Sequence, residues 1–433
     1  MVNNILIFEQ ILDLNYLESY MKTIKRESST QTLKPLALSV ALLSATAATS
    51  PAMAADTLAE AFSGGKPYVN LRLRYESADQ GGNTADSADA LTLDTVFGYE
   101  SGEYKGFSFL VEAEDVREVF GVRDFSVPPA GVRTGQFDVI ADPETTELDQ
   151  AFIKYKAGGF SAKLGRQVIT HDGHRFIGHV GWRQDRQTFD GVTLSYKKDN
   201  LALTGSYVTQ RNRIFAEEGD INSSDVFLNA SYKFGKNKLV AYSYLLDNED
   251  NNTEIDTYGI SYSGWTKFGE TKVNYNAEYA TQDIGSASTD YFNLGAGAKF
   301  GIVKLSLAYE VLGSDNGLVG FATPLATLHK FNGWADVFLN TPGIGLEDFK
   351  ATVDVDIAGG KFKLAYHDFS GDESIGGTDD LGDEIDIQYT RNFGKNVYAG
   401  IKYADYSQGD AIQNAGFIRD TERFWAWVGF KFK

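Results

Sequence analysis

The sequence contains no cysteine, and only 8 prolines and 5 histidines in 433 residues. Without cysteine there is no disulfide scaffold and no thiolate metal site. No Pro-rich or Ser-rich linker divides the chain, so a single large all-β unit competes well with the two or three soluble domains that the length would allow. Beyond residue 54 no apolar run approaches the roughly 20 residues that a spanning helix needs. This excludes a helical membrane protein but not a β-barrel, whose strands alternate lipid-facing and lumen-facing residues and so hide their apolar half from a sliding window. A net basic balance is missing too: the formal charge of -19 argues against nucleic acid as a partner, because a phosphate binder needs a basic face.

What is abundant are aromatics and turn formers, with 23 Tyr, 29 Phe and 44 Gly, a bias that suits strands ending at a membrane interface. From Pro67 the side chains of Val69, Leu71, Leu73 and Tyr75 fall on one face of an extended strand, and Asn70, Arg72, Arg74 and Glu76 on the other. Apolar outside and charged inside over a membrane-length strand is the pattern of a transmembrane barrel. Strands are expected near 67–76, 90–99, 107–115, 146–156, 160–168, 188–197, 201–210, 224–234, 239–246, 255–263, 271–280, 291–300, 303–312, 346–357, 361–369, 383–390, 397–406 and 423–432. The connections after even strands are short, as at Gly158-Gly159 and Gly359-Gly360, whereas those after odd strands include the long stretches 116–145, 169–187, 313–345 and 407–422. The fold class is therefore all-β: a transmembrane antiparallel barrel of eighteen strands with short periplasmic turns and long extracellular loops.

Ahead of the barrel, Lys22, Lys25, Arg26 and Lys34 precede the apolar segment Pro35 to Thr49 and a small-x-small cleavage site, Ala52-Met53-Ala54. Residues 1–54 read as a secretory signal, with Met21 a more natural start than Met1 and a genuine long leader as the alternative. A short periplasmic segment, 55–66, and the barrel, 67–433, follow. Acidic runs such as Asp247-Asn248-Glu249-Asp250 read as solvated loop surface, or as sites for divalent cations shared with lipopolysaccharide.

The stretch Gly165 to Gly191 concentrates chemistry, holding Arg166, Arg175, Arg183 and Arg186 with three of the five histidines. Its pattern of GRQ, RFIG, VGWRQ and QTFD, the opening strand LRLRYES, the segment Phe321 to Asp336 (FATPLATLHKFNGWAD) and the closing aromatic strand resemble the outer-membrane porins of the alginate-export family. The resemblance implies an eighteen-stranded monomeric barrel in the bacterial outer membrane, set among its lipids and lipopolysaccharide, with a lumen narrowed by inward-folded loops. Small solutes or an acidic polysaccharide such as alginate would diffuse through it. The closing strand, Phe424 to Lys433, is of the kind that barrel-assembly machinery reads, although the usual terminal aromatic is here Phe432 followed by Lys433.

A channel for acidic sugars needs low-affinity cations, and arginine suits carboxylates because its planar fork stays charged. Of the fourteen arginines after the leader, eleven lie between Arg72 and Arg213. The candidate lumen or substrate residues are Arg72, Arg74, Arg166, Arg175, Arg183 and Arg186, of which Arg166 is out of the inward phase of its strand and must sit above the membrane or on a bulge. Glu76, Asp94, Glu112 and Glu114 share the lumen face, as do Asp354 and Asp356, so the walls are of mixed sign and ion preference stays open. Trp182, His329, Trp334 and Asp336 are the candidate loop-constriction residues. Trp182, Trp334, Trp425 and Trp427 could form an aromatic slide for sugars, or serve as girdle and loop-core packing. His171, Asp172, His174 and His179 match no standard metal spacing and read as polar loop residues. No cofactor and no enzymatic chemistry are expected. A general diffusion porin, a plugged structural barrel and a barrel hydrolase are the rival readings.

Overall fold

The computed structural model describes residues 55–82, 84–411 and 419–432, so the expected signal segment 1–54 lies outside the described residues. After a short helix, α1 (Leu58–Ser63), the chain forms β1 (Lys66–Gln80), β2 (Ala88–Glu100), β3 (Phe107–Asp124), β4 (Thr145–Ala157), β5 (Phe160–Gln167), β6 (Thr188–Lys198), β7 (Leu201–Asn212), β8 (Ile221–Phe234), β9 (Asn237–Asn248) and β10 (Thr253–Phe268). It continues with β11 (Thr271–Ile284), β12 (Ala287–Phe300), β13 (Val303–Leu312), β14 (Ser314–Asp315), β15 (Val319–Gly320), β16 (Leu346–Ile357), β17 (Gly360–Ile375), β18 (Thr378–Phe393), β19 (Val397–Gln408) and β20 (Thr421–Phe432). All but β14 and β15 belong to one 18-stranded antiparallel sheet. It closes on itself because β1 pairs with β2 along one edge and with β20 along the other, Leu73 facing both Leu93 and Val428. Closure leaves no open edge, which is what a sheet crossing lipid requires.

The two faces follow the alternation of the sequence. On the outside, Leu164 is 65% exposed and Ile153 58%, exposures that suit lipid rather than water. On the inside, Arg74, Glu76, Thr92, Glu112 and Glu114 are buried, so the inner face is polar yet covered. The cover comes from the loops at one end of the barrel. At the other end β10 and β11 are joined by residues 269–270, and β16 and β17 by 358–359. Short turns mark the periplasmic rim and long loops the extracellular one.

All eighteen expected strands are present, and several run further than their apolar pattern. β3 extends to Asp124 because its polar end still pairs with β2, Asp124 opposite Asp89. The loop expected at 116–145 accordingly shrinks to 125–144. Above the membrane, ladder hydrogen bonds need no apolar side chains, so alternation underestimates strand length there. The external connections are also less uniform than expected, since 285–286 and 376–377 are two-residue turns.

Three periplasmic hairpins repeat one pattern: Lys233-Phe234-Gly235-Lys236-Asn237-Lys238, Lys267-Phe268-Gly269-Glu270-Thr271-Lys272 and Lys299-Phe300-Gly301-Ile302-Val303-Lys304. The glycines turn at φ 60, 59 and 58, a region costly for other residues. The phenylalanines are exposed on the outer rim, where aromatic rings sit at the membrane interface, and the flanking lysines take the inward phase.

Candidate pore constriction

Loops 125–144, 168–187 and 313–345 fold into the barrel and pack on one another. Gly178 N–H donates to Leu325 O at 2.7 Å, and Thr327 N–H donates to His174 O at 3.0 Å. The approach is so close that a Cβ on Gly178 would overlap Thr327 Oγ1. Phe176 packs on Tyr242, Tyr291 and Phe321, giving the loop layer an aromatic core continuous with the inner wall.

The arginines of the opening strand fasten this layer to the wall. Arg72 donates to Gln184 Oε1 at 2.7 Å, to Gly181 O at 3.2 Å and to Arg183 O. Arg74 donates to Trp182 O and pairs with Asp142 of loop 125–144. Arg183 reaches Glu76 at 3.0 Å and Asp336 at 2.8 Å, so one guanidinium joins β1 to two loops. Arg423 on β20 completes the group, 3.2 Å from Glu76 and donating to Ala335 O at 2.8 Å. Burial alone would lower the Arg183 pKa, but Glu76, Asp142 and Asp336 hold it well above the ordinary value. Arg74 is 1% exposed and Arg183 5%. These cations are spent on structural carboxylates.

From Asp336 the network runs on through His329, whose Nδ1 lies 2.8 Å from Asp336 and whose Nε2 lies 2.9 Å from Lys402 Nζ. Burial pushes the His329 pKa down to about 3, so the neutral ring donates through Nδ1 to the carboxylate and accepts at Nε2 from the ammonium. Burial would raise Asp336, yet His329 and Arg183 outweigh it and hold it below the usual carboxylate range. Trp182 stacks on His329 with centroids 4.5 Å apart, and Lys402 Nζ lies 3.7 Å from the Trp182 centroid and 4.1 Å from that of Trp334. Glu384 accepts the backbone N–H groups of Trp334 and Ala335. Trp182, His329, Trp334 and Asp336 are thereby brought together.

Two further clusters anchor the flanks. Arg175 pairs with Glu310 at 2.8 Å and donates to Thr323 and Asn332; Asn332 in turn donates to Glu310 and Asp348. Arg186 pairs with Glu112 and with Asp149, the latter at 2.5 Å. Glu114 lies buried on the same wall, and Asp94 is 3.9 Å from Arg72. Burial, reinforced by the charges of Glu147 and Asp149, raises Asp185 well above its ordinary pKa.

Arg166 stands apart from the interior group. It shares the outward phase of Leu164 and pairs across the ladder with Asp190 at 2.8 Å, at the external end of β5. The histidine-rich segment is also taken up by packing: His171 stacks on Tyr244, Asp172 pairs with Lys238 at 2.7 Å, and His174 meets His179 edge to face. Burial lowers His171 and His179 to about 4. Asp142, Asp149, Glu310, Glu384 and Lys402, which complete the network, carry no local signal beyond the inward phase of those on strands.

Below the loops the inner wall is open and lysine-rich. Lys154 faces Lys163, Lys233 faces Lys238, and Lys267, Lys272, Lys299 and Lys304 form a row of direct partners across four strands. Two vestibules lie at this level, one of about 640 Å³ along β8–β13 and one of about 500 Å³ along β16–β20.

The sequence model of the alginate export family matches residues 68–302, more than half of the chain. The chain belongs to the alginate export family. Among solved structures, this family member is similar to OccK9 (OpdG) of Pseudomonas aeruginosa, at 14% identity and TM-score 0.68 over 86% of this chain and 100% of that one. It is also similar to OpdK of the same species, solved with vanillate, at 12% identity and TM-score 0.65 over 86% and 99%. OccAB1 of Acinetobacter baumannii is matched at 15% identity and TM-score 0.65 over 89% and 99%. No curated protein matches the sequence. The protein is a bacterial outer-membrane β-barrel, a channel for solute diffusion seated among outer-membrane lipids and lipopolysaccharide.

Proposed function

We propose that this channel passes small acidic solutes and short acidic saccharides by passive diffusion, without covalent chemistry, as a monomer inserted by the barrel-assembly machinery. The observation that carries this reading is the division of the interior cations. The arginines above are paired with carboxylates, while Lys154, Lys163, Lys233 and Lys304 below form no salt bridge among the described residues, and the neighbouring Asp356 and Asp354 are occupied by Lys299 and Lys363. Like charges placed directly opposite one another destabilise a sheet, and an anion passing along the wall relieves that repulsion. The vanillate in the OpdK structure, an aromatic carboxylate, is in keeping with such a solute. A long alginate chain would have to displace the loop layer, whose central residues are almost wholly buried.

Single-channel conductance of protein isolated from outer membranes, recorded in a planar bilayer under a salt gradient, tests the proposal. Anion-preferring conductance reduced by oligouronates is the expected result. Conductance without preference or block would leave a general porin. A closed barrel with no conductance would establish the plugged reading, which the near-zero exposure of Arg74, Glu76 and Trp425 favours.

A further inference from the structure

Of the five tryptophans, Trp182, Trp334 and Trp425 are packed around Lys402 in the loop layer. Trp427 stands edge-on to Trp182 and lies against Gly400, where an added Cβ would overlap its ring. Trp265 belongs to neither group. It takes the inward phase of β10, opposite to the exposed Ile260 and Phe268, and lines the 640 Å³ vestibule. Two ammonium groups rest on its ring: Lys236 Nζ is 4.2 Å and Lys272 Nζ 4.5 Å from the centroid. They come from two copies of the repeated hairpin, so the turn sequence itself delivers cations to this indole.

We propose that this vestibule is a binding station for a six-membered ring bearing a carboxylate, an aromatic acid or a uronic sugar, on the periplasmic side of the constriction. The inference rests on the reading of the channel as a path for acidic solutes, and assigns the ring and the charge to particular residues. The ring lies on the indole, by offset stacking for an aromatic acid or by its C–H face for a sugar. The carboxylate draws Lys236 and Lys272 from the indole face to its own oxygens. Lys233 and Lys304 also line the cavity, and no carboxylate side chain does; the remaining lysine, Lys238, is held by Asp172 at 2.7 Å. Gly295 and Gly297 also line the cavity. A Cβ on Gly297 would come within 2.6 Å of Ser306 Oγ, and one on Gly295 would overlap Asn276 Oδ1. The cavity falls within the roughly 300–1,000 Å³ typical of small-molecule sites, enough for one ring and its water.

Isothermal titration calorimetry on the full-length protein in detergent provides the test, with benzoate and galacturonate as probes and benzyl alcohol and galactose as their uncharged counterparts. The acids are expected to bind and the uncharged rings to bind at least about tenfold more weakly. Trp265→Ala and the double variant Lys236→Gln/Lys272→Gln should each weaken acid binding by about tenfold. Retention of only benzoate or only galacturonate identifies the source of the ring. Absence of acid binding by the wild-type protein overturns the proposal, as does an affinity unchanged in both the tryptophan and the double lysine variants, or equal binding of the uncharged rings. Failure of the channel reading is a separate result, read as lack of wild-type conductance whatever the isotherm.

Discussion

Replacing Arg183 with methionine removes the guanidinium that lies 3.0 Å from Glu76 and 2.8 Å from Asp336, while keeping much of the side-chain volume. Both carboxylates are buried. Glu76 retains Arg423 at 3.2 Å and Arg74 at 3.4 Å, whereas among the described residues Asp336 retains only the His329 ring at 2.8 Å as a direct side-chain partner. Deleting one member of a buried ion pair costs about 3–5 kcal/mol, chiefly because the other charge is left uncompensated. At about 1.36 kcal/mol per factor of ten, this shifts the balance between loops packed inward and loops released by about 10²- to 10⁴-fold. Arg183→Met should therefore show larger and noisier single-channel conductance, with faster backbone hydrogen exchange in 168–187 and 313–345 but not in the barrel strands. Adding Asp336→Asn should recover part of the effect, since the carboxylate left uncompensated is then removed as well. Conductance and exchange identical to wild type in Arg183→Met would refute the view that this arginine bolts the constriction shut.

Gly178→Val places a branched side chain where even a Cβ would overlap Thr327 Oγ1; loops 168–187 and 313–345 should separate, and bilayer recordings should show raised conductance with the barrel's β-sheet circular dichroism retained. Acid should loosen the same layer. Because the folded His329 pKa of about 3 is depressed from 6.5, its packing contribution is complete above about 6.5 and is lost as pH falls toward 3; the lowered Asp336 acts in the same direction further down. Conductance measured from pH 7 to 3 should rise, and His329→Gln should flatten the upper part of that rise. Exchanging Lys233 and Lys304 for glutamine removes two unpaired cations from the lower wall, so the reversal potential in a salt gradient should move toward cations. Arg72→Ala, by contrast, should alter loop order more than ion preference, because Arg72 donates to Gln184 and to the Gly181 and Arg183 carbonyls.

The sequence by itself determined the wall of this protein. Alternation is a property of neighbouring residues, so Val69 to Glu76 already states which side chain meets lipid and which the lumen. Turn chemistry at Gly235, Gly269 and Gly301 closes the hairpins, and antiparallel pairing of successive strands then follows with little freedom. The Lys-Phe-Gly-x-x-Lys repeat is a local pattern as well, but that its lysines face one another across the ladder shows only in the strand pairing. Only the tertiary structure decided what the interior charges do. Arg183 meets Glu76 and Asp336 across 107 and 153 positions of chain, and Lys402 meets His329 across 73; no periodicity specifies such contacts, because they depend on how three irregular loops settle inside a closed sheet. Inward phase alone cannot tell an arginine that lines water from one that neutralises a buried carboxylate. That distinction depends on desolvation and on the partner's position, and both exist only once the barrel has closed around its loops.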